Sequence, residues 1–83
     1  MNEIIQATAT FNELGKVRVD YVQLMNEEKA KHIYKVAGSK FKREEKFAGM
    51  PALVFDCYIQ DENELRLITV KLYKDSMQWV LVE

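Results

Sequence analysis

The sequence predicts a small α+β domain, in which one helix packs on one face of a mainly antiparallel sheet of five or six strands. Residues 52–82 contain three apolar segments separated by short polar turns, which is typical of consecutive strands. Residues 26–37 show helical spacing between an asparagine and a glycine. The chain has 83 residues, of which 48% are hydrophobic, enough for one core. We therefore predict a single domain over residues 1–83, with the order β-β-α-(β)-β-β-β.

The first two elements are predicted to form a hairpin. Residues 3–11 fit two structures: a strand with alternating apolar and polar side chains, or a helix with Ile4, Phe11 and Leu14 on one face. We favour the strand because the threonines lower helix propensity. Residues 17–22 alternate in the same way, and the polar residues 12–15 can form the turn between the two strands.

The helix is predicted over residues 26–37. Asn26 suits the N-cap position, where its side chain would accept hydrogen bonds from free amides, and Gly38 suits the left-handed position after the last turn. Glu27 and Glu28 would lie at the positive end of the helix dipole. The stripe expected to pack on the sheet contains Ala30, Ile33, Tyr34 and Ala37.

Residues 39–49 leave two structures open. In an exposed edge strand, Phe41 and Phe47 would lie on the same face as two aromatic anchors, whereas in a short helix they would lie on different faces. Pro51 cannot donate a hydrogen bond to a ladder, so we expect it to lie before the first strand of the main sheet or at the first residue of that strand.

The main sheet is predicted from residues 53–60, 65–73 and 77–82. The first strand alternates and the second is apolar on both faces, so the second should lie inside the sheet. The predicted core contains Ile5, Phe11, Val19, Tyr21, Ile33, Leu53, Phe55, Cys57, Leu67, Ile68, Val70 and Trp79.

No motif in the sequence indicates catalysis, and we expect neither an enzyme nor a metal or cofactor site. His32 is the only histidine, and a metal site needs three or four ligands. Cys57 is predicted to point inward as a small hydrophobe, without a base to activate it. The acidic residues around 56–64 match neither a calcium loop nor a catalytic pair, and glycine-rich nucleotide motifs are absent from the sequence.

Cysteine usage and the N-terminal residues predict a cytoplasmic protein. One cysteine cannot form an internal disulfide, and small secreted domains commonly depend on such bonds. The sequence begins without a basic, then apolar, signal segment. It contains no apolar run of the roughly 18 residues that a membrane helix needs.

Residues 29–46 stand out because they contain seven basic and two acidic residues, although the net charge of the chain is −1. Aromatic residues among cations are typical of docking surfaces. We therefore predict a non-enzymatic module that binds another protein as an inhibitor or adaptor, of the kind that phages and mobile elements often encode. The predicted partner-binding residues are Lys35, Lys40, Phe41, Lys42, Arg43, Lys46 and Phe47.

The alternative function is that of a nucleic-acid-associated protein, in which residues 29–47 bind phosphates and stack on bases. The near-neutral net charge favours the protein partner, because nucleic-acid binders usually carry a basic excess. A symmetric homodimer is a further expectation, because a single helix can cover only one face of the sheet.

Overall fold

A computed structural model describes residues 2–82 as an all-β barrel with six antiparallel strands and no helix in that range. The strands are β1 (Glu3–Phe11), β2 (Val17–Met25), β3 (Lys31–Phe47), β4 (Met50–Asp61), β5 (Glu64–Tyr73) and β6 (Gln78–Val82). Each strand pairs with the next one, and β6 pairs with β1, which closes the barrel.

The predicted α+β class is wrong, because the helix over residues 26–37 does not form. Residues 26–30 are the turn between β2 and β3, and residues 31–37 belong to β3. Tyr34 and Val36 are buried in the barrel, whereas Ile33 between His32 and Tyr34 is exposed. The side chains therefore alternate with the period of a strand, and the helical stripe was a coincidence of spacing.

Asn26 closes a hairpin turn instead of capping a helix. Asn12 and Asn26 each accept two hydrogen bonds from backbone amides two and four residues further on, at 2.9–3.0 Å. In each turn the fourth residue, Gly15 or Lys29, has a positive φ of 78° or 61°. The N-cap prediction failed because an asparagine side chain can accept amide hydrogen bonds equally well in a turn.

The core fills the inside of the barrel. Its buried residues are Val19, Val22, Leu24, Tyr34, Val36, Phe55, Cys57, Ile59, Val70 and Leu72. Of the predicted core, Val19, Phe55, Cys57 and Val70 are buried, and Ile5, Leu53, Ile68 and Trp79 pack against this cluster. The other four predictions are wrong, because the side chains of Phe11, Tyr21, Ile33 and Leu67 are exposed.

A β-bulge explains the error at Tyr21. Tyr21 pairs with Thr8, and Val19 pairs with the next residue of β1, so Asp20 is an extra residue in β2. A bulge of this kind shifts the alternation of side chains by one residue. As a result Val19 and Val22 both point into the barrel, and Tyr21 points outward.

β3 changes its partner strand halfway along its length. Residues 31–35 pair with β2, and pairing with β4 begins at Val36 and continues to Phe47. The ladder with β4 contains two bulges, one between Val36 and Gly38 and one between Phe41 and Arg43. Strands that pass from one sheet to another in this way commonly do so at bulges. Residues 39–47 are therefore strand, the first of the two structures predicted for residues 39–49. The predicted shared face of the two phenylalanines is wrong, because the bulge after Phe41 leaves Phe41 opposite Phe55 and Phe47 opposite Met50, which lie on different faces of β4.

Candidate functional site

The second half of β3 has one unpaired edge, which we call the basic edge and define as residues 40–47. These residues pair with β4 on one side, and no strand within residues 2–82 pairs with the other side. Just before this edge, the Val19 amide of β2 donates a hydrogen bond to the Ser39 hydroxyl at 3.1 Å. The basic edge therefore presents free backbone donors and acceptors, which are the groups that pair with an added strand.

The structure brings six of the seven predicted partner-binding residues onto this edge, which are Lys40, Phe41, Lys42, Arg43, Lys46 and Phe47. Lys35 lies apart from them, in the first half of β3, where it pairs with Tyr21 of β2.

The two phenylalanines of the basic edge are exposed to different extents. Phe41 is 53% exposed and its ring meets the buried Phe55 ring edge-on, with 5.8 Å between the centroids. Phe47 is 79% exposed and pairs with Met50 across the turn that joins β3 to β4. Phe41 is therefore partly anchored to the core, whereas Phe47 makes little contact with the rest of the chain.

The cations of the basic edge are partly neutralised. Arg43 forms an ion pair with Glu45 at 2.7 Å, and Lys42 lies 3.8 Å from Asp56. Lys40 and Lys46 form no ion pair with any residue of the described part of the chain. The charge available to a partner therefore comes mainly from these two lysines.

Ion pairs also fix the edge to the barrel. Glu45 binds Lys71 of β5 at 2.7 Å, and the hydrogen bonds from Lys71 and then Arg43 hold the pKa of Glu45 below its usual value of 4.5. Val54 of β4 pairs with Arg43 of β3 on one side and with Lys71 of β5 on the other. It is fully buried, although it is outside the core cluster. The salt bridges thus cover an apolar side chain on the outer face and hold the edge in one position.

Cys57 points into the barrel, as predicted. It pairs with Ser39, and its side chain has no solvent exposure. Burial, followed by the negative charge of Asp56, raises the pKa of the thiol to about 12. The thiolate therefore does not form near neutral pH, and the group behaves as part of the core.

A second feature, which the sequence did not predict, is a cleft of about 780 Å³ at the opposite end of the barrel. We call it the end cleft; the turn after β2, the start of β3 and the turn between β4 and β5 line it. Its charged and aromatic residues are Glu27, Glu28, His32, Tyr34, Asp61, Glu62, Glu64 and Arg66. In the sequence, the acidic residues around 56–64 match no calcium or catalytic pattern, and Glu27 and Glu28 suit the start of a helix, so no local signal joins the two groups.

Comparison with known proteins gives no match: no protein family, no curated protein and no solved structure is significantly similar to this chain. Residues 2–82 also contain no helix that is long and apolar enough to cross a membrane. Any functional proposal therefore depends on the geometry and charge of the two features described above.

Proposed function

We propose that this chain is a non-enzymatic module that binds another protein, as an inhibitor or adaptor, along the basic edge. The observation that carries the proposal is the unpaired edge of residues 40–47, which combines free backbone groups with the exposed Phe41 and Phe47. A long open edge is normally a hazard for aggregation, and proteins protect it with charged residues or use it for binding.

The partner that fits this edge is an extended segment with acidic side chains. Addition of a strand supplies main-chain hydrogen bonds, and alternate side chains of the segment then determine specificity. Lys40 and Lys46 would meet the acidic groups, since neither is engaged by residues 2–82. Phe47 would provide the anchor, because aromatic residues that become desolvated carry much of the energy of an interface.

A nucleic-acid partner has weaker support. Phe47 beside Lys46 could stack on a base next to a phosphate contact. However, Arg43 and Lys42 are already paired with Glu45 and Asp56, so only Lys40 and Lys46 are left for a partner; two cations suit a segment with a few acidic side chains better than a continuous phosphate backbone. The ion pairs of the edge therefore favour a protein partner.

The proposal can be tested by capture from a cell lysate with the tagged chain and three variants. Phe47→Ala should release most of the captured partner, because it removes the anchor. Replacing Lys40, Lys42 and Lys46 together by Gln should mainly slow association and reduce its salt dependence. Phe11→Ala is the matched control, because Phe11 is another exposed phenylalanine, on β1, which does not pair with β3.

The identity and salt dependence of the captured material decide between the candidates. A stoichiometric protein that Phe47→Ala loses and Phe11→Ala retains would support the proposal. Nucleic acid that is captured at low salt, released at high salt and lost in the triple Gln variant would contradict it. Equal losses in both phenylalanine variants would also contradict it, because the edge would then have no special role.

A further inference from the structure

The end cleft forms where β3 and β4 separate. Residues 31–35 of β3 pair only with β2, and the ladder between β3 and β4 begins at the pair of Val36 and Ile59. Beyond this pair, β4 continues to Asp61 with β5 as its only partner. The opening between the first half of β3 and the end of β4 is the cleft, so it is a consequence of the strand order.

The cleft is acidic, and most of its carboxylates have no cationic partner. Its five carboxylates face one guanidinium, that of Arg66, which lies 3.9 Å from Asp61. The other four form no ion pair among residues 2–82: they are Glu27, Glu28, Glu62 and Glu64. At the basic edge, by contrast, Glu44 and Glu45 both have cationic partners.

Tyr34 places an unused polar atom in this cleft. Its side chain is only 6% exposed, yet its hydroxyl forms no hydrogen bond with residues 2–82. No fully buried side-chain polar atom in that range lacks a partner, so the hydroxyl is in contact with solvent, and the cleft is the opening that Tyr34 lines. The hydroxyl oxygen can therefore accept a hydrogen bond from a ligand.

The ring of Tyr34 is held in a fixed position. The Arg66 guanidinium lies over the ring, 5.7 Å from its centroid, and the His32 ring meets it edge-on at 4.6 Å. A polar group that is already positioned before binding costs less entropy when the ligand arrives. The tyrosine is thus a fixed acceptor at the wall of an acidic cleft.

We propose that the end cleft binds an organic polycation with primary ammonium groups, such as a free polyamine or the lysine side chains of a basic peptide. One ammonium group donates to the Tyr34 hydroxyl oxygen, and the others are neutralised by the unpaired carboxylates. The volume of about 780 Å³ lies within the usual range for ligand pockets. Among residues 2–82, no three His, Cys, Asp or Glu side chains lie close enough to share a metal ion. The spread of the carboxylates therefore suits several spaced charges better than one compact ion.

The test is an NMR titration of the labelled chain with spermidine, with a tri-lysine peptide and with Mg²⁺ in separate experiments. We expect either organic ligand to shift amides in residues 26–34 and 60–66, and Mg²⁺ at equal charge to leave most of them unchanged. A tighter response to spermidine would identify a polyamine site, and a tighter response to the peptide would identify a site for lysine side chains. Both results support an ammonium site.

Variants distinguish a specific site from general attraction. Tyr34→Phe keeps the ring and removes the acceptor, and should weaken binding about tenfold, as expected for a hydrogen bond to a charged group. Replacing Glu62 and Glu64 together by Gln should also weaken binding, whereas Glu13→Gln, on the turn between β1 and β2, should not change it. If Tyr34→Phe does not fold, the double Gln variant decides.

Three results would overturn the proposal. They are shifts scattered over acidic residues outside the cleft, an equal response to Mg²⁺, and unchanged affinity in Tyr34→Phe or, if that variant does not fold, in the double Gln variant.

Discussion

The two halves of β3 open the barrel in opposite ways. Residues 31–35 pair with β2 and leave their other side open to the acidic end cleft, whereas residues 40–47 pair with β4 and leave the basic edge open. The first half contributes Tyr34 to the core, while every residue of the second half lies outside the core cluster. A strand that changes partner midway thus creates two openings without any inserted loop.

The comparison shows how a small barrel can keep a core and still have surfaces for binding. In the first half, the buried side chain of Tyr34 belongs both to the core and to the cleft. In the second half, stability comes from backbone pairing with β4 and from ion pairs such as that of Glu45 with Lys71. Side chains like that of Phe47 are then free for a partner, and their replacement should affect binding more than folding.

The largest expected effect contrasts two aromatic residues of the same strand. Tyr34→Ala should lower the free energy of unfolding by about 3–5 kcal/mol, because it leaves a cavity in the core. Phe47→Ala should change it by about 0.5 kcal/mol or less, as is usual for an exposed position. Urea unfolding followed by the fluorescence of Trp79 measures both values. Similar losses in the two variants would show that the halves of β3 do not differ as described.

Acid should loosen the second half of β3 before the first. The pKa of Glu45 is lowered in the folded chain. The carboxylate therefore stabilises the fold fully above the usual glutamate pKa of 4.5, and this stabilisation is lost as the pH falls through the lowered pKa. The protection of the paired amides in residues 41–47, relative to intrinsic exchange at the same pH, should therefore fall below that pH, while the protection of the paired amides in residues 32–35 remains unchanged.

Glu45→Gln should remove this acid response, because the glutamine does not titrate. Asp20→Asn is the matched control: hydrogen bonds from Thr10 and then Arg18 also lower the pKa of Asp20, but this residue lies in β2, and its side chain forms no hydrogen bond or ion pair with the basic edge. An unchanged acid response in Glu45→Gln would mean that its salt bridges do not hold the edge.

The smallest expected effect concerns the turn at the tip of the second half. Ala48 has a φ of 52° and Gly49 a φ of 79°, as a two-residue type I′ hairpin requires. Ala48→Gly relieves the steric cost of the left-handed conformation, offset in part by the flexibility of glycine, so unfolding should become less favourable by less than about 1 kcal/mol. Gly49→Ala should have the opposite effect. The midpoints of urea unfolding measure the change in stability of both variants. Stabilisation by both variants would contradict this turn geometry.

The sequence predicted five of the six strands, because β1, β2, β4, β5 and β6 each show apolar and polar alternation or an apolar run between turns. It failed at the first half of β3, where Asn26 and Gly38 resemble the two ends of a helix. Local patterns could not show which was correct, since both fit a short window. The bulge at Asp20 changes which side chains of β2 point into the barrel beyond it, and sequence alternation alone does not reveal a bulge.

Closure of the barrel and the end cleft depend on residues that are distant in sequence. Ile4 pairs with Val80, a contact that no local signal indicates. Glu27 and Glu62 lie in the same cleft, although they belong to different turns far apart in the chain. The basic edge was easier to predict, because charge and aromatic residues that are close in sequence remain close on one strand.

The central claim is that residues 40–47 carry an unpaired edge, and amide hydrogen exchange along β3 in the isolated chain tests it most directly. In an antiparallel edge strand, successive amides point alternately toward the paired and the open side. We therefore expect protected and rapidly exchanging amides to alternate over residues 40–47, with the pattern interrupted at the bulge near Lys42. Uniform protection of residues 40–47 at all protein concentrations would contradict the account, because both sides of the strand would then be paired within one chain.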